Sequence, residues 1–151
     1  LRGIGVEIQP SLAAVAQENV AANGLSDRVR ILEKDMGRLA LADIGGPVDL
    51  VVSNPPYRKL NSGRINPHSQ KAIARHEIKV DLETVLATAR SVLNLAGRFC
   101  VIYPAVRSVG LLAAMRDGGL EPKRLTMIHS TPASPARLVA VTGIKAGGPE
   151  L

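Results

Sequence analysis

The stretch VDLVVSNPPY, residues 48–57, joins an apolar run to groups that can grip an amine. Its β-branched residues read as a buried strand, which stops at Asn54, Pro55, Pro56 and Tyr57. Neither proline donates to a sheet ladder, and Pro55 pushes Asn54 toward an extended conformation. The chain therefore leaves the sheet stiffly, and Asn54 and Tyr57 point in fixed directions. Asn54 offers a side-chain carbonyl, and Pro55 a main-chain carbonyl released from sheet pairing. Two acceptors aimed at a planar NH2 group hold its protons and favour pyramidalisation. The nitrogen lone pair is then directed at an electrophile without a strong general base. Tyr57 can stack on the ring that bears the amine, as aromatic residues do where a base is extruded.

Two carboxylates stand at comparable places. Glu7 ends a first short apolar run and Asp35 a second, and ligands of open α/β sheets gather at the carboxyl ends of strands. A carboxylate at Glu7 can accept two hydrogen bonds from a ribose diol, and one at Asp35 can accept from an exocyclic adenine amine. Each alone reads equally well as a solvated strand end; with Asn54 they describe a nucleoside-shaped site.

These residues need a scaffold that alternates strand and helix. IGVEI reads as a strand, and the helix after it takes Ser11 as N-cap, places Leu12, Val15, Ala16 and Val20 on one face, and stops at Gly24. RVRILEKDM and VDLVVS are the next strands. A helix from Asp81 to Leu95, with Leu82, Val85, Leu86, Ala89 and Leu93 on one face, ends at Gly97 before the strand RFCVIYP. SVGLLAAMRDGG continues as a helix, and KRLTMIHS and RLVAVTGIK are the last strands, separated only by a short TPASPA connection. The pattern predicts an α/β fold, a mostly parallel sheet covered by helices with an antiparallel pair at its edge. The segment 58–79 breaks the rhythm. It carries Arg58, Lys59, Arg64, Lys71, Arg75 and Lys79 against the single acid Glu77, and long irregular insertions are usually functional or disordered. Its place directly after the Asn-Pro-Pro-Tyr turn favours a substrate-gripping loop.

Composition narrows the partners. The 151 residues fit one domain, no apolar run approaches the ~20 residues of a membrane span, and the opening LRGIGVEIQP lacks the order of a signal peptide. A cytoplasmic protein is expected. Cys100 has no second cysteine to pair with and is expected as a small buried thiol. His68, His76 and His129 are far apart in sequence with no helical ligand spacing, so no metal site is expected. The formal charge of +6 suits a polyanionic partner.

NPPY after an apolar strand resembles the motif of class I S-adenosylmethionine-dependent methyltransferases that act on planar amino groups. Within that group the segments NPPYRKLNSGRINPHSQKAIARHEIK, GRFCVIYPAVR and LEPKRLTMIHS look like bacterial tRNA1(Val) adenine N6-methyltransferases. The resemblance implies a Rossmann-like sheet, S-adenosylmethionine as cofactor and RNA, specifically tRNA beside the anticodon, as partner. It implies a cofactor-binding set of Glu7 (ribose), Ile8, Asp35 (adenine), Met36 and Asn54. Asn54, Pro55, Pro56 and Tyr57 would hold the target amine. Lys59, Arg64, Lys71 and Arg75, with His76, would contact the substrate. The family's first strand and glycine-rich D-x-G-x-G-x-G turn do not precede Leu1, so residues 1–151 are expected to be a partial domain, inactive alone. The absent strand would lie between those ending at Glu7 and Asn54. A release-factor glutamine methyltransferase shares the turn but gives no reason for the basic insertion. A non-catalytic RNA-binding module is the reading in which the glycine-rich segment is truly missing.

Overall fold

The computed structural model describes residues 2–55 and 82–149. The chain divides into two compact units, Leu1–Pro47 and Val48–Leu151. Pro56, Tyr57 and the whole basic insertion, with Lys59, Arg64, Lys71, Arg75 and His76, lie outside the described residues.

The first unit holds strand β1 (Gly3–Glu7), helix α1 (Pro10–Ala22), strand β2 (Val29–Glu33) and the short helix α2 (Leu41–Ile44). β1 and β2 pair in parallel from Gly3 opposite Val29 to Glu7 opposite Glu33, so both strands finish at one edge. α1 starts earlier than its sequence suggests. Gln9 is the N-cap and Pro10 opens the first turn, where a missing N–H is no loss and the fixed φ already suits a helix. Ser11 is thus inside the helix and not its cap. Gly24 stops the helix at φ +62°, with its N–H bonded to the Ala21 carbonyl and the Leu25 N–H to that of Val20. This double closure requires the left-handed conformation that glycine adopts at no steric cost.

The second unit holds β3 (Val48–Ser53), α3 (Leu82–Val92), β4 (Leu93–Pro104), α4 (Ser108–Asp117), β5 (Leu120–His129) and β6 (Ala136–Lys145). Its four strands lie in the order β3-β4-β6-β5. β3 and β4 are parallel, with Ser53 opposite Val101, and β6 is antiparallel to both β4 and β5. The antiparallel pair expected from the last two apolar runs therefore forms the sheet edge. α3 stops at Val92, short of the expected Leu95, because Leu93 already pairs with Val48 and begins β4. Past Leu93 the β3–β4 register shifts, and Ala96 stands there at φ +60°. Leu93 is still buried, but as a strand residue.

Register divides the second unit's sheet into two faces. Phe99, Val101 and Tyr103 of β4 share a face with Val141 and Val139 of β6, and all five are buried. The apolar sides of α3 (Val85, Leu86, Ala89, Val92) and α4 (Leu111, Met115) complete that core. On the opposite face Arg98, Cys100, Ile102 and Pro104 lie beside Ile144, Thr142, Ala140 and Leu138, and β3 adds Leu50 and Val52, which are 48% and 70% exposed. Helices thus cover one face of this sheet and not both, among the described residues. Cys100 falls on the open face, so it is half-buried and not sealed in the core; its Sγ is 3.3 Å from the Thr142 hydroxyl. α4 is fastened to β5 by Arg116, which donates from both Nη2 (2.9 Å) and Nε (3.3 Å) to the Glu121 carboxylate. No helix among the described residues is long and apolar enough to cross a membrane.

Candidate functional site

In the first unit the parallel pairing of β1 and β2 brings the predicted cofactor residues to one edge. Glu7 closes β1, and its Oε1 accepts from the Gln9 N–H at 2.8 Å. The Lys34 N–H donates to the Glu7 main-chain oxygen at 2.9 Å, tying the exit of β2 to the end of β1. Asp35 follows at once. Its Oδ1 accepts from the Gly37 N–H at 2.9 Å and caps a single turn of 3-10 helix, Met36–Arg38. Both carboxylates are half-buried, and each is aimed by one backbone donor two residues downstream. Ile8, 40% exposed, and Met36 stand next to them in the chain.

The loop behind Asp35 is anchored by a second carboxylate. Lys34 Nζ lies 2.6 Å from Asp43 Oδ2, the Ala40 N–H donates to the same oxygen at 2.8 Å, and Arg30 Nη2 donates to the Asp43 main-chain carbonyl. The Lys34 hydrogen bond, helped by the Ala40 N–H, holds the Asp43 carboxyl below its ordinary value of 3.8. Asp43 is a fastening for the loop; Glu7 and Asp35 are the acids at the strand ends.

In the second unit Asn54 and Pro55 leave β3 directly after Ser53. Pro55 is buried and Asn54 exposed, so the proline packs into the protein and fixes the backbone beside Asn54. The parallel pairing of β3 with β4 places the end of β4, Pro104 and the 3-10 turn Ala105–Arg107, at the same edge as Asn54. The antiparallel returns bring two further residues there, His129 at the end of β5 and Arg137 at the start of β6. Neither is prominent in the sequence, where His129 is judged only as a poor metal ligand. The signal available was a short TPASPA connection flanked by a histidine and an arginine, whose meaning depends on which way the two strands run.

No protein-family profile matches the chain. Over 139 residues, 90% of its length, it is 35% identical to a tRNA1(Val) (adenine(37)-N6)-methyltransferase of Porphyromonas gingivalis strain W83. Over 89% of its length it is 32% identical to a protein of the same name from Erwinia tasmaniensis. It spans about half of these curated relatives, 54% of each. Among solved structures, a predicted O-methyltransferase of Agrobacterium tumefaciens aligns over 95% of this chain and 62% of its own, with a TM-score of 0.66 at 22% identity. The geranyl diphosphate C-methyltransferase of Streptomyces coelicolor, solved with S-adenosyl-L-homocysteine, aligns over the same shares with a TM-score of 0.65 at 13% identity.

The fold is that of the class I methyltransferases. The expected resemblance to tRNA1(Val) adenine N6-methyltransferases is borne out by the named relatives. In a methyltransferase fold the carboxyl edge of the strands is the edge that binds ligands. Glu7, Asp35 and Asn54 all stand at such an edge of their own sheets.

Proposed function

We propose that the protein transfers a methyl group from S-adenosylmethionine to N6 of an adenine in RNA, namely a tRNA beside the anticodon, and that it does so in the cytoplasm. The observation that carries this reading is the exposed Asn54 beside the buried Pro55 at the carboxyl end of β3. The chain's likeness to proteins named tRNA1(Val) adenine N6-methyltransferases selects adenine from among planar amines.

Residues of the first unit suit the cofactor's nucleoside. Glu7 keeps one carboxylate oxygen on the Gln9 N–H, which aims the group while its remaining lone pairs accept from a ribose diol. Asp35 is aimed likewise by the Gly37 N–H and accepts from an adenine amine, with Ile8 and Met36 as apolar flanks. When bound, the cofactor supplies an electrophilic methyl on a sulfonium. Asn54 Oδ1 and the Pro55 carbonyl accept the two protons of the target amine, so the N6 lone pair turns toward that methyl. The bound cofactor's methyl would pass from its sulfonium sulfur to that nitrogen, and the amine's proton would go to solvent. Pro56 stiffens the turn and Tyr57 stacks on the adenine. Lys59, Arg64, Lys71 and Arg75, with His76, contact the RNA. Domain organisation follows the same reading: residues 1–151 belong to a methyltransferase domain, with 58–79 as a substrate loop.

The deciding experiment offers the full-length protein two substrates, a transfer RNA with an unmodified adenine beside the anticodon and a release factor carrying a glutamine target. Methyl incorporation into the RNA, mapped to N6, is expected. Incorporation into the release factor alone would assign the turn to glutamine chemistry.

A further inference from the structure

At the carboxyl edge of the second unit, a cleft of about 450 Å³ opens between the end of β4 and the β5–β6 hairpin. It is lined by Pro104, Ile128, His129, Ser130, Arg137 and Leu138 and falls in the roughly 300–1,000 Å³ range of small-molecule sites. Its apolar lining comes from the half-exposed Pro104, Ile128 and Leu138, and its polar lining from the exposed Arg137 and His129. Among the described residues the edge is one-signed. From Ser53 to Pro55, Pro104 to Ser108 and His129 to Leu138 the sequence contains Arg107, Arg137 and His129 but neither aspartate nor glutamate. The His129 ring is held in place: Nδ1–H donates to the Ser134 carbonyl at 2.7 Å across the hairpin turn. In the neutral ring this fixes the tautomer and leaves Nε2 as an acceptor.

We infer that this cleft is a ribonucleotide subsite for a residue flanking the target adenine. This assignment rests on the proposed RNA substrate and deepens it. Arg137 pairs with a phosphate through its planar donors, the apolar lining takes the face of the sugar or base, and His129 Nε2 accepts from a 2′-hydroxyl, the group that separates RNA from DNA. Position agrees with the role. Ser53 is level with Val101, and Leu138 is level with Pro104, three residues further along β4. At ~3.3 Å per residue and ~4.8 Å per strand spacing, the cleft is about 10 Å beyond the end of β3 and about 10 Å across the sheet. That is reach for a neighbouring nucleotide and not for the reacting base.

The test compares Arg137→Ala and His129→Ala in the full-length protein on an anticodon stem–loop RNA, on the same stem–loop made as DNA, and on RNA with single 2′-deoxy substitutions beside the target adenine. Both side chains are exposed, so truncation leaves the core intact, and a melting curve checks this. Arg137→Ala is expected to raise the KM for RNA about 10-fold, the loss of one charge-assisted contact. The effect should fall on KM rather than kcat and should lower the slope of log affinity against log salt by about 0.7. Arg137→Lys should restore part of the affinity as a point charge. His129→Ala should narrow the preference for RNA over DNA, and one 2′-deoxy position should reproduce that loss in the parent without adding to it in the variant. Parental KM, salt slope and RNA preference in both variants would overturn the subsite, as would weakened binding of a release-factor peptide with RNA binding unchanged. If the parent methylates RNA and Asn54→Ala abolishes it while the cleft variants behave as parent, the subsite alone is wrong. If the parent methylates only the release factor, the function it rests on is wrong too.

Discussion

The two units hold their candidate residues by different means. In the first unit Ala13 is the one buried apolar side chain, whereas the second buries Phe99, Leu111, Met115, Leu120, Val139 and Val141 almost completely, among the described residues. A single parallel pair with one covering helix has little apolar area to remove from water, and isolated two-stranded sheets are marginal. Glu7 and Asp35 are accordingly fixed by local bonds from Gln9 and Gly37. Asn54 is fixed from behind, by the buried Pro55 and a strand paired into a packed sheet. A group that must recognise a cofactor can be aimed by one nearby N–H. A group that must hold a reacting amine in one orientation needs a stiff support, since small misplacements in the transition state are costly.

If packing concentrates in the second unit, a core truncation there should dwarf one in the first. Phe99→Ala in the full-length protein is expected to cost about 3–5 kcal/mol, and Ala13→Gly about 1 kcal/mol, mostly the helix cost of glycine. Denaturant midpoints at constant slope measure both; equal losses would break the comparison. Next in size, Asn54→Ala should lower methyl transfer at least ~100-fold, as expected for losing one preorganised transition-state contact, with little change in cofactor affinity. Separate turnover and binding measurements check it, and wild-type turnover would remove Asn54 from the chemistry. Glu7→Ala should do the converse. Its carboxylate bonds to ribose hydroxyls are each worth about 1.5–3 kcal/mol, so calorimetric titration should show cofactor affinity falling about 10-fold or more, with water recovering part of the loss. An unchanged affinity would make Glu7 a solvated strand end.

The smallest effect concerns pH. The hydrogen bond from Arg116 holds the Glu121 carboxyl below its ordinary value of 4.5, with burial opposing it. A carboxyl whose pKa is lower folded than unfolded adds stability that is fully present above the unfolded value and is lost as pH falls through the folded one. Midpoints recorded from neutral pH down through the acid range should therefore decline less steeply in Glu121→Gln than in the parent. Parallel curves would show that the α4–β5 ion pair contributes no pH dependence.

Much of this was legible in the residues themselves. Strand after strand ends where its apolar run meets a polar group, at Glu7, near Asp35 and at Asn54, because the alternation of burial along a strand is local. Helix ends were less legible. Ser11 has the right chemistry for a cap, but Pro10 sets the helix start two residues earlier, and Leu93 fits the α3 face by spacing until pairing with Val48 claims it for β4. Cys100 looked like a core residue because RFCVIY is apolar throughout; only the register with Thr142 reveals that it faces the open side.

By itself the sequence determined the alternating α/β elements, the stiff Asn54 and Pro55 exit, the acids at the strand ends and the excess positive charge, since each depends on neighbours in the chain. Only the tertiary structure decided that β6 inserts between β4 and β5. That insertion turns the start of β6 and the end of β5 toward the edge where β3 and β4 finish, and it brings Arg137 and His129 to the side of the sheet that carries Asn54. Strand direction and order are set by long-range hydrogen bonding and by which faces bury area together, and no local run of residues encodes either.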